Sequence, residues 1–362
     1  MSENKNTEIK EETVKKVSVS ILQKRWRKFK TLKRGYISFL VIVTAFLLSF
    51  ILPLFVGKSA LLVHYNGSYY FPLFNTYQAT DLGQTRDPYG EANYRFLKKQ
   101  YSEENQGNWV LMPFYPFGPN ENLLNELEGN PPHPPSAEHW AGTDDRGRDV
   151  FARLLYGFNI GLSFALVVTF FSYIIGIAIG ALLGFYGGKV DILGQRFIEI
   201  WGTLPFLYVI IIISSIINPN FLLLVVILTL FNWIGMTYYM RGEFYREKAR
   251  DYVAAAVSMG AKNRIVIFKH ILPNSLTPVI SYAPFAIVAN IFSLVSLDFL
   301  GFGLPAPTPS WGQLMQQGLT NIDYWWLIMT PLIAMFLTLL MITFIGEAIR
   351  EAFDPKVYSR LR

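Results

Sequence analysis

Apolar and polar residues alternate along this chain on the scale of a lipid bilayer. Uninterrupted apolar runs of the length a helix needs to cross hydrocarbon, about 20 residues, fall at 35–56, 158–183, 197–217, 221–239, 279–297 and 324–345. They predict an all-α polytopic membrane protein with six transmembrane helices. A polar insertion, 57–157, separates the first two, and a polar loop, 241–274, separates the fourth and fifth.

The insertion predicts mixed structure. Leu61 to Phe71 carries Asn66-Gly67 between β-prone flanks, a hairpin signal, and 91–102 reads as a short helix. Prolines 131, 132, 134 and 135 then break the chain. In the second span Ser172, Gly176, Gly180 and Gly184 recur every four residues, a face along which another helix backbone can approach. Pro205 is expected to bend the third span.

The polar loop has its own period. Tyr252, Val253, Ala256, Val257 and Gly260 follow three/four spacing, with Gly260 as the natural stop. A second helix is expected from near Asn263, with Ile265, Phe268 and Ile271 on one side, ending before Pro273. A water-facing helix pair with an apolar ridge, tied at both ends to membrane spans, suits a groove on another protein.

Composition narrows the class. With 52% hydrophobic and 16% charged residues and a mean hydropathy of +0.29, the chain is too apolar for a soluble enzyme of its length. The net charge of +6 is unevenly placed: the insertion holds eight Lys and Arg against twelve Asp and Glu. Basic residues gather beside the spans on alternate sides, a positive-inside pattern and not a nucleic-acid stripe. Both termini (1–34 and 346–362, with Lys24, Arg34, Arg350, Lys356, Arg360 and Arg362) and loop 241–274 are thereby expected in the cytoplasm, and the insertion outside. Without cysteine the insertion must hold itself together by packing.

No engine is legible in the chain. The GxxxxGK[ST] cradle for nucleotide phosphates does not occur, so energy must come from an ion gradient or another subunit. Glu199 and Asp298 read as interfacial charges. His64, His133 and His139, with Glu138, fit no strong metal-ligand spacing, and no catalytic residue is expected. A gradient-driven carrier or channel, and a membrane-anchored receptor or enzyme, stay open as rival classes.

Ordered motifs go further. Gly142, Thr143, Asp144, Arg146, Gly147, Arg148 and Asp149, followed by Ala152-Arg153, resemble the GTDxxGRDxxSR element of dipeptide/oligopeptide ABC-importer permeases. Phe185 to Gly188 with Asp191, Ser296 to Gly303, Pro309 to Gly312 and Glu347 to Pro355 are similar to later signatures of that family. Asp251, Tyr252, Ala255, Ala256 and Gly260, closing with His270, Leu272 and Pro273, resemble its EAA coupling loop, with Ala254 in place of the usual acid. Leu61 to Pro72 and Asn108 to Leu111 look like the Yej-type branch.

The resemblance implies an ABC importer type I permease fold in the bacterial inner membrane, among its lipids, with no cofactor bound by this chain. It implies a second permease subunit, two cytoplasmic ATPases that use ATP and Mg, and an external solute-binding protein as partners, and no nucleic acid. Peptides are the implied cargo, with nickel, an opine or an oligosaccharide as alternatives. Loop 251–274 would couple to the ATPases, and the turn Gly142 to Asp149 would be an external gate or binding-protein contact.

Overall fold

The computed structural model describes residues 21–320 and 322–354. Residues 1–20 of the basic amino terminus, and Pro355, Lys356, Arg360 and Arg362 of the carboxyl end, lie outside the described residues.

A basic helix, α1 (Ile21–Thr31), precedes α2 (Lys33–Ser49), and the two are bent by 99°. The apolar run expected to reach residue 56 as one helix stops at Ser49. Pro53 draws residues Leu52–Leu54 into a 3-10 turn, because the ring disfavours α-helical geometry at the residue before it.

The insertion folds around a three-stranded antiparallel sheet. Strands β1 (Leu62–Tyr65) and β2 (Ser68–Tyr70) pair with Tyr65 opposite Ser68. Asn66 and Gly67 turn between them with positive φ of 48° and 78°, the left-handed pair that a two-residue hairpin loop needs. Helix α3 (Tyr94–Glu104) starts later than the pattern suggests because Asn93 caps it, accepting from the Arg95 and Phe96 amides. Strand β3 (Trp109–Leu111) completes the order β2-β1-β3. Val63, Leu82, Leu97, Tyr101 and Val110 form the core of this lobe.

The bundle follows. Helix α4 (Val150–Tyr186) begins well before the apolar stretch at 158, since Asp149 caps it through the Ala152 amide at 2.8 Å. Helices α5 (Gly188–Gly202) and α6 (Phe206–Ile216) meet at Pro205 and are bent by 65°. Helix α7 (Phe221–Lys248) runs nine residues past the expected end of its span, Tyr239. The polar loop holds α8 (Asp251–Ser258), α9 (Asn263–Ile265), a π-helical turn (Val266–Ile271) and α10 (Leu272–Ser275). Helix α11 (Thr277–Phe299), a short α12 (Trp311–Thr320) inside the expected loop 301–323, and α13 (Trp325–Phe353) complete the chain. Among the described residues four helices (α4, α7, α11, α13) are long and apolar enough to cross a membrane, and the two bent pairs bring the number up to six.

The most extensive contact in the bundle is α4 on α7. A Cβ added at Gly176 would lie 2.7 Å from the Trp233 carbonyl oxygen, one at Gly180 2.6 Å from that of Thr237, and one at Gly184 2.6 Å from Phe244 Cβ. Any side chain at these positions would push the helices apart. Ser172, the first member of the four-residue repeat, is buried on the same face.

Candidate functional site

Functional residues gather at the two ends of the bundle. At the end away from the insertion, α8 packs across the termini of α4 and α7. Val253 and Ala256 are each only 3% exposed, and Val253 joins Phe185, Phe244, Val266 and Ile271 in one apolar cluster. The ridge expected to meet a partner is therefore split. Val253 and Ala256, three residues apart and the most inward positions of the helix, dock on their own chain, while Asp251, Tyr252, Ala254, Ala255, Val257 and Ser258 stay exposed. A groove of about 560 Å³ runs beside them, lined by Ala254, Val257, Ser258, Asn263, Lys248 and Tyr186 among others. Ala254, where the family's loop carries an acid, is on that outer wall.

Gly260 ends this helix as expected. Its φ is +81°, no atom lies within 4 Å of where its Cβ would be, and the Gly260 and Ala261 amides donate back to Val257 and Ala256 carbonyls at 2.9 and 3.0 Å. The second helix departs from expectation. Its π-helical turn has a wider pitch than 3.6 residues, so Val266, Ile267 and Ile271 are buried while Ile265 and Phe268 face out. The looser turn also admits the Pro273 ring, and the helix continues past it to Ser275.

A polar clasp holds the two halves together. The Tyr252 hydroxyl donates to Glu247 Oε2 at 2.7 Å, and its oxygen lies 3.3 Å from the His270 carbonyl oxygen. Asn274 Nδ2 donates to that carbonyl at 2.8 Å and to the Tyr252 oxygen at 3.3 Å. Burial and the Glu247 carboxylate push the Tyr252 hydroxyl above its ordinary pKa. Nearby, Arg241 grips Asp191 through Nε at 2.5 Å and Nη2 at 2.6 Å, and Tyr245 donates to the same carboxylate at 2.7 Å. This bidentate pair ties α5 to α7. Sequence reasoning singled out Asp191 only within a motif and missed Glu247, whose basic neighbours Arg246 and Arg250 were the available signal.

At the insertion end, the turn Gly142 to Asp149 is built inward. Asp144 Oδ1 accepts from the Arg146 and Arg148 amides at 3.0 and 2.9 Å, and Oδ2 accepts from Arg148 Nε at 2.7 Å. Arg153, fully buried, lies 3.6 Å from the same carboxylate and donates to the carbonyls of Pro119, Pro307 and Thr308. Asp149 accepts from the Tyr115 hydroxyl at 2.6 Å and contacts His139 Nδ1 at 2.8 Å. Burial, then the charge and hydrogen bond of Asp149, drive the Tyr115 pKa up. Thr143 Oγ1 accepts from the His133 amide at 2.8 Å, and the Thr143 carbonyl from Trp326 Nε1 at 3.1 Å. Gly142 and Gly147 have φ of +74° and +70°. A Cβ on Gly142 would meet the His133 carbonyl at 2.6 Å.

Most of the turn expected to form an external gate or binding-protein contact is packed within the chain. Gly142, Thr143, Asp144, Gly147, Arg148 and Asp149 are buried, and Arg146 alone of the seven is exposed, beside exposed Asp145. Paired charges and a hydrogen-bonded turn can be desolvated where lone charges cannot. Asp298, read as an interfacial charge, is also buried, accepting from the Leu304 amide and the Ser310 hydroxyl at 2.6 Å each. The histidines are dispersed: His64 stacks on Trp109 in the sheet, and His139 belongs to the Asp149 cluster.

Several membrane-spanning helices, a small helix pair seated under them and an insertion locked to their far end define a multi-pass membrane permease. The family model described as binding-protein-dependent transport system inner membrane component matches residues 176–359, and the chain belongs to that family. Within it the chain is an ABC-importer permease of the dipeptide/oligopeptide type, most like its Yej branch. It is 42% identical over 334 residues to the inner membrane ABC transporter permease protein YejE of Escherichia coli K12, covering 92% of this chain and 96% of the relative. It is 35% identical to the peptidoglycan transport system permease protein YejE of Agrobacterium fabrum (92% and 93% covered) and 36% identical to the dipeptide transport system permease protein DppC of Bacillus subtilis (62% and 71%). A chain of the MetNI methionine ABC transporter, inward facing, aligns with TM-score 0.47 and 19% identity over 56% of this chain and 96% of that one.

Proposed function

We propose that this chain is the transmembrane permease of an ATP-driven importer that receives peptides or peptide-like compounds from an external binding protein and passes them across the bacterial inner membrane. The observation that carries the reading is the 42% identity to a YejE permease across 96% of that relative's length, which includes the insertion. Both termini and the α8–α10 segment face the cytoplasm and the insertion faces out, as the distribution of basic residues supports.

A second permease subunit completes the path, and two ATPase subunits use ATP and Mg. The chain itself holds no catalytic residue. ATP-driven closure of the ATPases moves the docked α8–α10 segments, and the bundle alternates between inward-facing and outward-facing forms. The outer wall of α8, from Ala254 to Ser258, meets the ATPase; Val253, Ala256 and the Tyr252 clasp pass its displacement to α7. Arg146 and Asp145 are the parts of the outer turn left free to touch the binding protein.

The test is reconstitution of the two permeases and two ATPase subunits in vesicles with the binding protein, and measurement of ATP-dependent uptake of tri-alanine and hexa-alanine. Accumulation that requires both ATP and the binding protein is expected. Accumulation of nickel, an opine or an oligosaccharide in place of either peptide would overturn the cargo assignment. Uptake by this chain alone would overturn the ABC mechanism.

A further inference from the structure

The bundle carries a polar seam at mid-depth that the functions above do not use. Asn232 on α7 is exposed, and its Nδ2 donates to Asn290 Oδ1 on α11 at 2.7 Å; Asn290 Nδ2 in turn donates to Thr169 Oγ1 on α4 at 2.9 Å. At 1.5 Å per residue, Asn232 lies about 16 Å from the start of α7 and Asn290 about 20 Å from the start of α11, so the chain of amides crosses near the bilayer midplane. Asn290 is 3% exposed, so two of the three groups are sequestered behind the first. The Asn232 side-chain oxygen accepts no hydrogen bond from any described residue.

The surface around Asn232 is unlike the rest of α7. Gly235 and Tyr239 follow on the same face, both exposed, with no atom within 4 Å of where a Gly235 Cβ would stand. Tyr239 stacks on Tyr282 of α11 with ring centroids 4.3 Å apart. One turn the other way, Thr229 has a buried hydroxyl with no partner among the described residues. The exposed positions that precede Asn232 on this helix, Phe221, Leu222, Val226 and Leu230, are apolar and suit lipid.

An unpaired amide oxygen facing hydrocarbon is costly, so this seam must face water, cargo or protein. Exposed Tyr239, stacked on half-buried Tyr282, stands where close helix packing would require small residues, which argues against a tight protein contact. The geometry points to a cargo station on the translocation path: Asn232, backed by Asn290 and Thr169, offers its side-chain oxygen to a backbone N–H of a passing peptide, beside the Tyr239–Tyr282 stack. An amide reads backbone and not side chain, which suits a path that must pass many sequences. The inference rests on the importer reading above.

The chain has no cysteine, so Asn232→Cys, Tyr239→Cys and Val226→Cys each place a single thiol in it. In the reconstituted importer with cysteine-free partners, a membrane-impermeant methanethiosulfonate reagent should modify the first two and not the third. Whichever of tri-alanine or hexa-alanine the unmodified importer accumulates should slow that modification. Should Asn232→Cys and Tyr239→Cys prove as inert as Val226→Cys while uptake persists, the seam is a protein or lipid contact and the proposal is overturned. Modification that the accumulated peptide does not slow would equally overturn the cargo contact. Loss of the importer reading shows separately, as no peptide uptake by the unmodified complex.

Discussion

The Tyr252 hydroxyl reaches Glu247 Oε2 at 2.7 Å and so joins the first turn of α8 to the last turn of α7. Glu247 is 7% exposed, and the bond therefore works in a partly desolvated setting where a charged acceptor strengthens it. With His270 and Asn274 on the other arm, a push on α8 cannot be absorbed by hinging of the helix pair.

Tyr252→Phe removes the polar contacts of that hydroxyl to Glu247, His270 and Asn274 while keeping the ring. A hydrogen bond to a charged group contributes about 1.5–3 kcal/mol, enough to let α8 swing. Peptide uptake per ATP hydrolysed should fall several-fold while the complex still assembles and hydrolyses ATP. The comparison is between vesicle uptake and phosphate release on one preparation; unchanged coupling would show that the clasp carries no force.

Ala255 and Ala256 are neighbours with opposite surroundings. Ala255→Arg should leave the purified permease folded and block ATPase docking, because that position is exposed. Ala256→Arg should destabilise the permease itself, because Ala256 is buried against its own chain. Co-purification of the ATPases and the melting temperature of the permease separate the two.

Arg153→Met should destabilise the insertion end. It leaves the Pro119, Pro307 and Thr308 carbonyls without this donor, at about 1–3 kcal/mol for each group left buried and unsatisfied. Arg146→Ala, on the exposed side of the same turn, should change the melting temperature little. Thermal unfolding of the detergent-solubilised protein checks both.

The lobe should lose stability on acidification through Glu126. Partial burial pushes its carboxyl up, but the hydrogen bonds and charge of Arg95, with Asn93, outweigh that and hold it below its ordinary range. The stabilisation is fully present above the ordinary value, about 4.3, and is lost as pH falls through the lower folded value. Proteolytic cutting within 57–149 should rise below about pH 4, and Glu126→Gln should flatten that rise.

Gly180→Val should separate α4 from α7, since even a Cβ would come within 2.6 Å of the Thr237 carbonyl oxygen. Overpacking of this kind costs about 1–3 kcal/mol or more. Gly161→Ala, with no atom within 4 Å on the same helix, should be neutral or stabilise by up to about 1 kcal/mol. Melting temperatures of the two variants make the contrast.

The spans, the hairpin at Asn66-Gly67 and the glycine face of α4 were legible because each rests on a local rule: length of an apolar run, a left-handed turn, a fixed repeat. What escaped depends on distant partners. Nothing around Asp144 indicates that Arg153, itself held by carbonyls from 307 and 308, will pack against it, so the inward build of the turn was not legible. The α8 ridge was visible as a pattern, but a pattern does not say whether Val253 and Ala256 bury in their own chain or another's. The π-helical turn shifted the buried set from Ile265 and Phe268 to Val266 and Ile267, which no 3.6-residue template detects.

Arg153 and Pro307 are 154 residues apart in sequence, and this spacing sets an order of assembly. As the chain emerges from the ribosome and enters the membrane, the guanidinium arrives with the second span, but one wall of its enclosure arrives only after the fifth. The insertion end therefore closes late in biogenesis, and until then a charge and several backbone carbonyls stand open to whatever surrounds the nascent chain. Premature termination anywhere before the 307–308 loop leaves that closure unmade, and such fragments are natural prey for membrane proteases.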